Sequence, residues 1–263
     1  MSNENLDEDQ DWPDDEEGQS YRRADEIGPS ELREALGKLH LFDDDPYLRM
    51  QAFNLALVDQ FIMQIEYAVL EKLNQEERTP APEAAFLSAQ SQMWIFAAYE
   101  ILRTWRERAK DMVKWAENGG LNLKLEALEK DIGFEHTGRK IRAGQIRCVL
   151  ADPSLIPKVK DDVRRTHILF AQIEAIRVSL AKHAVRGKEK SVALMPGYGR
   201  INEWCGSLEY EMESGTCSVG QISRRDIADG LRSLTDREPP PTDEDLERFD
   251  VFMRGPPDNP FQN

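Results

Sequence analysis

Few residues in this chain of 263 are of types and spacings that could perform chemistry together. Helix-borne metal sites take ligands three or four residues apart, so that they share a face. His136, Cys148, His167 and His183 show no such pairing, and Cys148, Cys205 and Cys217 contain no CxxC pair. An odd number of widely spaced cysteines fits reduced thiols in a cytoplasm better than a disulfide framework. No HExxH, GxSxG or P-loop pattern occurs. Gly197-Tyr198-Gly199 lacks the third glycine of a dinucleotide loop and follows no strand-to-helix crossover. The expectation is therefore no metal and no cofactor.

Two residue sets remain. Arg177 and His183 form Arg-x5-His, which resembles the loose Arg-x4–6-His pattern of the HEPN ribonucleases. In that helical family the arginine and histidine cluster at a dimer cleft and cut RNA. The resemblance covers seven residues and a general all-α character. It implies a ribonuclease of a stress or defence system with Arg177 and His183 as its catalytic pair. Helical geometry gives the same residues a second reading. Six residues at 100° each set the two side chains roughly 120° apart and about 9 Å along the axis. His183 also completes the stripe Leu169, Ile173, Ile176 and Leu180, as a packed core or rim histidine would.

The second set is basic: Arg139, Lys140, Arg142, Arg147, Lys158, Lys160, Arg164 and Arg165. Clustered guanidinium and ammonium groups are what phosphate recognition needs, with aromatic rings beside them to stack bases. Here only Phe134 and Phe170 lie near in sequence. Charge is strongly segregated. Residues 1–17 carry nine acids and no base, and residues 236–250 carry seven acids against two bases. Residues 139–190 carry thirteen bases against five acids, within a net charge of −15. This set is either a nucleic-acid contact, masked in the resting chain by residues 4–17, or a solvated face offset by the acidic ends.

The elements that would position these residues are helical. From Leu87 a register of alternating four and three steps passes through Ser91, Trp94, Ala98, Ile101, Trp105, Arg108, Met112 and Trp115. Such spacing keeps one seam facing a partner helix. Three of the five tryptophans lie on it, and Arg108 either pairs with a carboxylate across an interface or reaches out to the bundle edge. Asp43-Asp44-Asp45-Pro46 starts an earlier long helix, from Tyr47 to about Gln75. Its stripe is Phe53, Leu57, Phe61, Ile65, Ala68 and Lys72, widened by Leu55, Val58, Ile62 and Val69. A third long helix is predicted from Val159 to Val185. After Gly187 the period changes. Ser191–Met195 is β-compatible, and Leu208, Tyr210 and Met212 alternate with glutamates. A Ser214-Gly215 turn predicts a hairpin pairing Met212 with Cys217 and Tyr210 with Val219. Ser223 and Asp226 then form a capping box.

The architecture expected is mainly α: a disordered acidic tail over 1–28, an elongated bundle of three long amphipathic helices over 29–188, a hairpin-and-helix unit over 189–235, and a mostly mobile acidic, Pro-rich tail over 236–263. No apolar run approaches 18 residues, and the acidic N-terminus has neither the basic nor the apolar region of a secretory signal. A cytoplasmic protein with no membrane contact is the expectation. The leading functional reading is a non-catalytic helical protein-interaction or regulatory module that binds a protein partner or a second copy through long helix faces, with Trp94, Trp105, Arg108 and Trp115 as the contact seam. Competing readings are the ribonuclease and a nucleic-acid-binding regulator using Arg139, Lys140, Arg142, Arg147, Arg164 and Arg165.

Overall fold

A computed structural model describes residues 21–181, 199–214 and 217–254. Asp45 caps the first long helix, its carboxylate accepting from the amides of Tyr47 (2.9 Å) and Leu48 (3.3 Å), with Pro46 at the first helical position where no amide is needed. The short helix α1 (Glu31–Gly37) precedes it; α2 runs Pro46–Glu76 and α3 Ala81–Glu117. The 37 residues of α3 span about 55 Å, and α2, α6 and α7 all pack along it. The remaining helices are α4 (Leu121–Glu129), α5 (Thr137–Ala151), α6 (Leu155–Arg165), α7 (His167–Ala181), α8 (Arg224–Arg232) and α9 (Asp243–Arg254). A three-stranded antiparallel sheet, β1 (Arg200–Ile201), β2 (Leu208–Ser214) and β3 (Cys217–Ser223) in that order, lies against α7 and α3. A helical bundle with a small β unit is the architecture the periodicities predict.

The α3 seam is the spine of the core. Leu87, Ser91, Trp94, Ala98, Ile101, Trp105 and Met112 are all buried. Each indole removes on the order of 200 Å² from water, worth roughly 5 kcal/mol of transfer free energy before ordering costs. Both place their one polar group: Trp94 Nε1 donates to the Leu55 carbonyl at 3.0 Å, and Trp105 Nε1 to that of His40 at 2.9 Å. The seam therefore faces its own chain.

Several expectations need correction. The third long helix is two: Thr166 ends α6 in a non-helical conformation, and its hydroxyl donates to Asp162 O (2.9 Å) while accepting from Arg106. A local hydroxyl-to-backbone bond of this kind competes with helix continuation. The first of the two begins at Leu155, ahead of the predicted Val159, because Pro157 sits in the first turn of α6, where its missing amide costs nothing. The hairpin forms with Ser214 opposite Cys217 and Tyr210 opposite Ile222, a different register from the predicted one. A bulge at Met212/Glu213 absorbs one residue, and Gly220, at φ +139°, supplies the backbone freedom opposite it. The third correction is in α2, whose predicted face divides: Phe53, Leu57, Val58 and Phe61 are exposed, while Leu55, Ile62 and Val69, which widen the same stripe, are buried together with Leu48, Ala52, Asp59 and Glu66. Finally, residues Asp243–Arg254, read as mobile tail, form α9 and dock on α7 through His167 Nε2 and Asp250 Oδ1 at 2.9 Å. The Ser191–Met195 strand and residues 1–20 of the predicted 1–28 tail lie outside the described residues; the rest of that tail is packed on the fold, with Ala24–Glu26 in a 3-10 turn, Ile27 buried and the Tyr21 hydroxyl donating to Asp226 at 2.9 Å.

Candidate functional site

The most heavily constrained polar cluster joins α2 to α8. Arg224, fully buried, presents Nε and Nη2 to the two oxygens of Glu66 (2.8 and 2.7 Å) and Nη1 to Asp59, while Arg232 reaches the second oxygen of Asp59. The Arg224 guanidinium also lies 5.2 Å from the Trp94 ring centroid. Burial alone would depress the Arg224 pKa; the carboxylates of Glu66 and Asp59 more than reverse that and hold it charged. Arg224 and Glu66 form a bidentate pair, Arg224 and Arg232 share Asp59, and Arg232 also reaches Asp229, so the cluster works as a structural clamp. Sequence periodicity missed it because Asp59 and Glu66 interrupt an apolar helix. Their seven-residue spacing, which returns to one helix face, is the signal that could have found it. A neighbouring close approach supports the clamp: a Cβ on Gly206 would lie 2.1 Å from the Glu66 carbonyl oxygen. Only glycine lets the Asn202–Gly206 turn sit on α2 there.

Apart from exposed Lys158, the basic set has partners within the chain, Lys160 pairing with Glu117. Arg139 donates to the carbonyls of Ala127, Leu128 and Lys130 at the end of α4. Arg142 donates to the Arg108 carbonyl and to Gln145, and burial lowers its pKa to about 10. Lys140 pairs with Glu135 and Arg147 with Glu129. Arg164 holds Pro241 O and Asp243; Arg165 holds Glu238 O and buried Asp162. A groove of about 910 Å³ between α4 and α5 is lined by Phe134, His136, Arg139, Lys140 and Arg147, whose cations are those already engaged. Arg108 on the seam pairs with Asp45, the α2 cap, within the same chain, and Trp115 lies beneath Arg142 and Lys124.

Arg177 stacks over Tyr99, 4.3 Å from the ring centroid, and Tyr99 in turn stacks on Phe170. His183, its partner in the ribonuclease resemblance, lies outside the described residues. Among the described residues no group of three histidines, cysteines or acids could hold a metal, and no helix is long and apolar enough to cross a membrane.

Of the fifteen exposed large apolar side chains among the described residues, six lie on the outer face of α2. Tyr47, Met50, Phe53, Leu57, Val58 and Phe61 are each between 40% and 58% exposed. From Met50 to Leu70 the only charged residues are Asp59 and Glu66, both turned inward to the arginine clamp. In a chain with 32% charged residues, this stretch leaves a long apolar face of α2 without a charge. No protein-family model, curated protein or solved structure matches the chain.

Proposed function

We propose that the protein is a non-catalytic helical interaction module whose docking surface is the outer face of α2. The observation that carries this is the apolar stripe Met50, Phe53, Leu57 and Phe61, exposed on the stretch of α2 from Met50 to Leu70, whose two carboxylates, Asp59 and Glu66, are both spent internally. Leaving four large apolar side chains in water brings nothing to the monomer, whereas covering them on a partner is favourable at about 25 cal/mol per Å². The internal pairing of Arg139, Lys140, Arg142, Arg147, Arg164 and Arg165 leaves the basic middle less suited to a polyanion. The tryptophan seam serves the core, so the contact surface moves from α3 to α2.

A photo-crosslinking amino acid placed at Leu57 in the full chain, expressed in cells, tests the reading against the same group at exposed Lys124. A discrete adduct from position 57 and none from 124 is expected. Absence of any adduct at 57, or equal adducts at both, would sink it.

A further inference from the structure

We infer that the occupant of this face is a second copy of the chain, paired antiparallel about a two-fold axis at Leu57. This rests on α2 being a docking surface and identifies what docks. The first argument is charge. Each copy carries −15, so two copies repel over most approaches. The outer face between Met50 and Leu70 carries no charge, and there two copies meet without juxtaposing like charges. A partner of opposite charge would find no complement on it.

The second argument is symmetry. A two-fold interface must be complementary to itself. Phe53, Leu57 and Phe61 are evenly spaced at four residues, so an antiparallel axis at Leu57 sets Leu57 on the partner's Leu57 and Phe53 on the partner's Phe61. The same operation puts Asn54 opposite the partner's Gln60, amide against amide. The third is size. The exposed parts of Tyr47, Met50, Phe53, Leu57, Val58 and Phe61 amount to roughly 600–700 Å² per copy, near the ~800 Å² that each partner contributes to a standard stable interface.

Light scattering on the purified full chain, from 1 to 100 µM, is the test. Twice the 30.2 kDa chain mass is expected, with added salt tightening association as it screens the net charge. Leu57→Glu, at a half-exposed site, is expected to weaken dimerisation at least a hundredfold with its circular dichroism unchanged. A second measurement stands even if that variant misfolds. In a Cys148→Ser background, Leu57→Cys should crosslink to itself on oxidation. Phe53→Cys alone should not, and an equimolar mixture of Phe53→Cys and Phe61→Cys should. A wild-type monomer throughout the range, a dimer indifferent to Leu57→Glu, or self-crosslinking of Phe53→Cys without that of Leu57→Cys would each overturn the pairing. A monomer by scattering together with a discrete adduct of other mass from position 57 would overturn the second copy while leaving the docking face standing.

Discussion

Arg224 shows how a single side chain decides which way a helix faces. α2 is apolar on nearly every side, so hydrophobicity alone does not choose its buried face. The choice falls to Asp59 and Glu66, seven residues apart, which are held inward by the fork of Arg224 and by Arg232. A bidentate guanidinium cannot be exchanged for a point charge without losing one arm of that fork. Arg224→Ala leaves two carboxylates at full burial with Arg232 as the one remaining cation, and breaking a buried pair in this way costs about 3–5 kcal/mol. Urea unfolding should register that loss, and Arg224→Lys should recover only part of it. Replacing Arg224, Asp59 and Glu66 together by Met, Leu and Met should be far milder than Arg224→Ala, because no unpaired charge remains. A loss below about 1 kcal/mol in Arg224→Ala would show that the cluster is not the clamp described.

At the level of elements, what could be read from sequence and what could not divide along a physical line. Local signals were legible: the Asp45-Pro46 start of α2, the α3 seam, and the Ser223–Asp226 capping box, whose two bonds both form. These depend on backbone groups and side chains within one turn of each other. Tertiary choices were not. The period of α2 identifies a helix, but its inward face is set by Arg224, which is 158 residues from Glu66. The α6–α7 break depends on Arg106 reaching Thr166 from α3. The hairpin register turned on a bulge that strand alternation does not announce. The β unit is fixed to the bundle by two such non-local devices, the arginine clamp and Gly206. Gly206 sits at φ +75° against the α2 backbone, so Gly206→Ala combines left-handed strain with a backbone collision. Roughly 2–5 kcal/mol of destabilisation is expected from that combination. Hydrogen exchange should report faster opening in β1, β2 and the C-terminal half of α2, with α4 and α5 unaffected. Uniform protection equal to wild type would remove Gly206 from the docking of the sheet.

Over the whole molecule, the separation of charge along the sequence is resolved by folding the acidic C-terminal segment onto the basic middle. The sequence suggests masking of that middle by residues 4–17, which lie outside the described residues; the described structure has a masking segment at the other end. Arg164 donates from Nε and Nη2 to the Pro241 carbonyl at 3.1 and 2.8 Å and pairs with Asp243. Arg165 does the same to the Glu238 carbonyl at 3.0 and 2.8 Å, while Arg237 reaches Asp162 and the carbonyl of Lys38. Beyond this strap, α9 is anchored by the Asp250–His167 pair, with Phe249 set edge-on to the His167 ring. Carbonyl partners neutralise hydrogen-bonding capacity but not charge, so the field of Arg164 and Arg165 is offset by the acids the strap carries. Deleting residues 239–263 removes six acids and two bases, taking the net charge from −15 to −11 and stripping Arg164 of both Pro241 and Asp243. Arg165 keeps Glu238 and Asp162, and α6 and α7 keep their packing on α3, so the truncated chain should stay folded. It should elute from heparin at higher salt than the full chain, because cations released from internal acids become available to a polyanion. Arg164→Ala in the truncated chain should return elution toward the full-length value. Co-elution of the two chains, with circular dichroism confirming the fold, would mean that the C-terminal strap secures α9 without shielding the basic face.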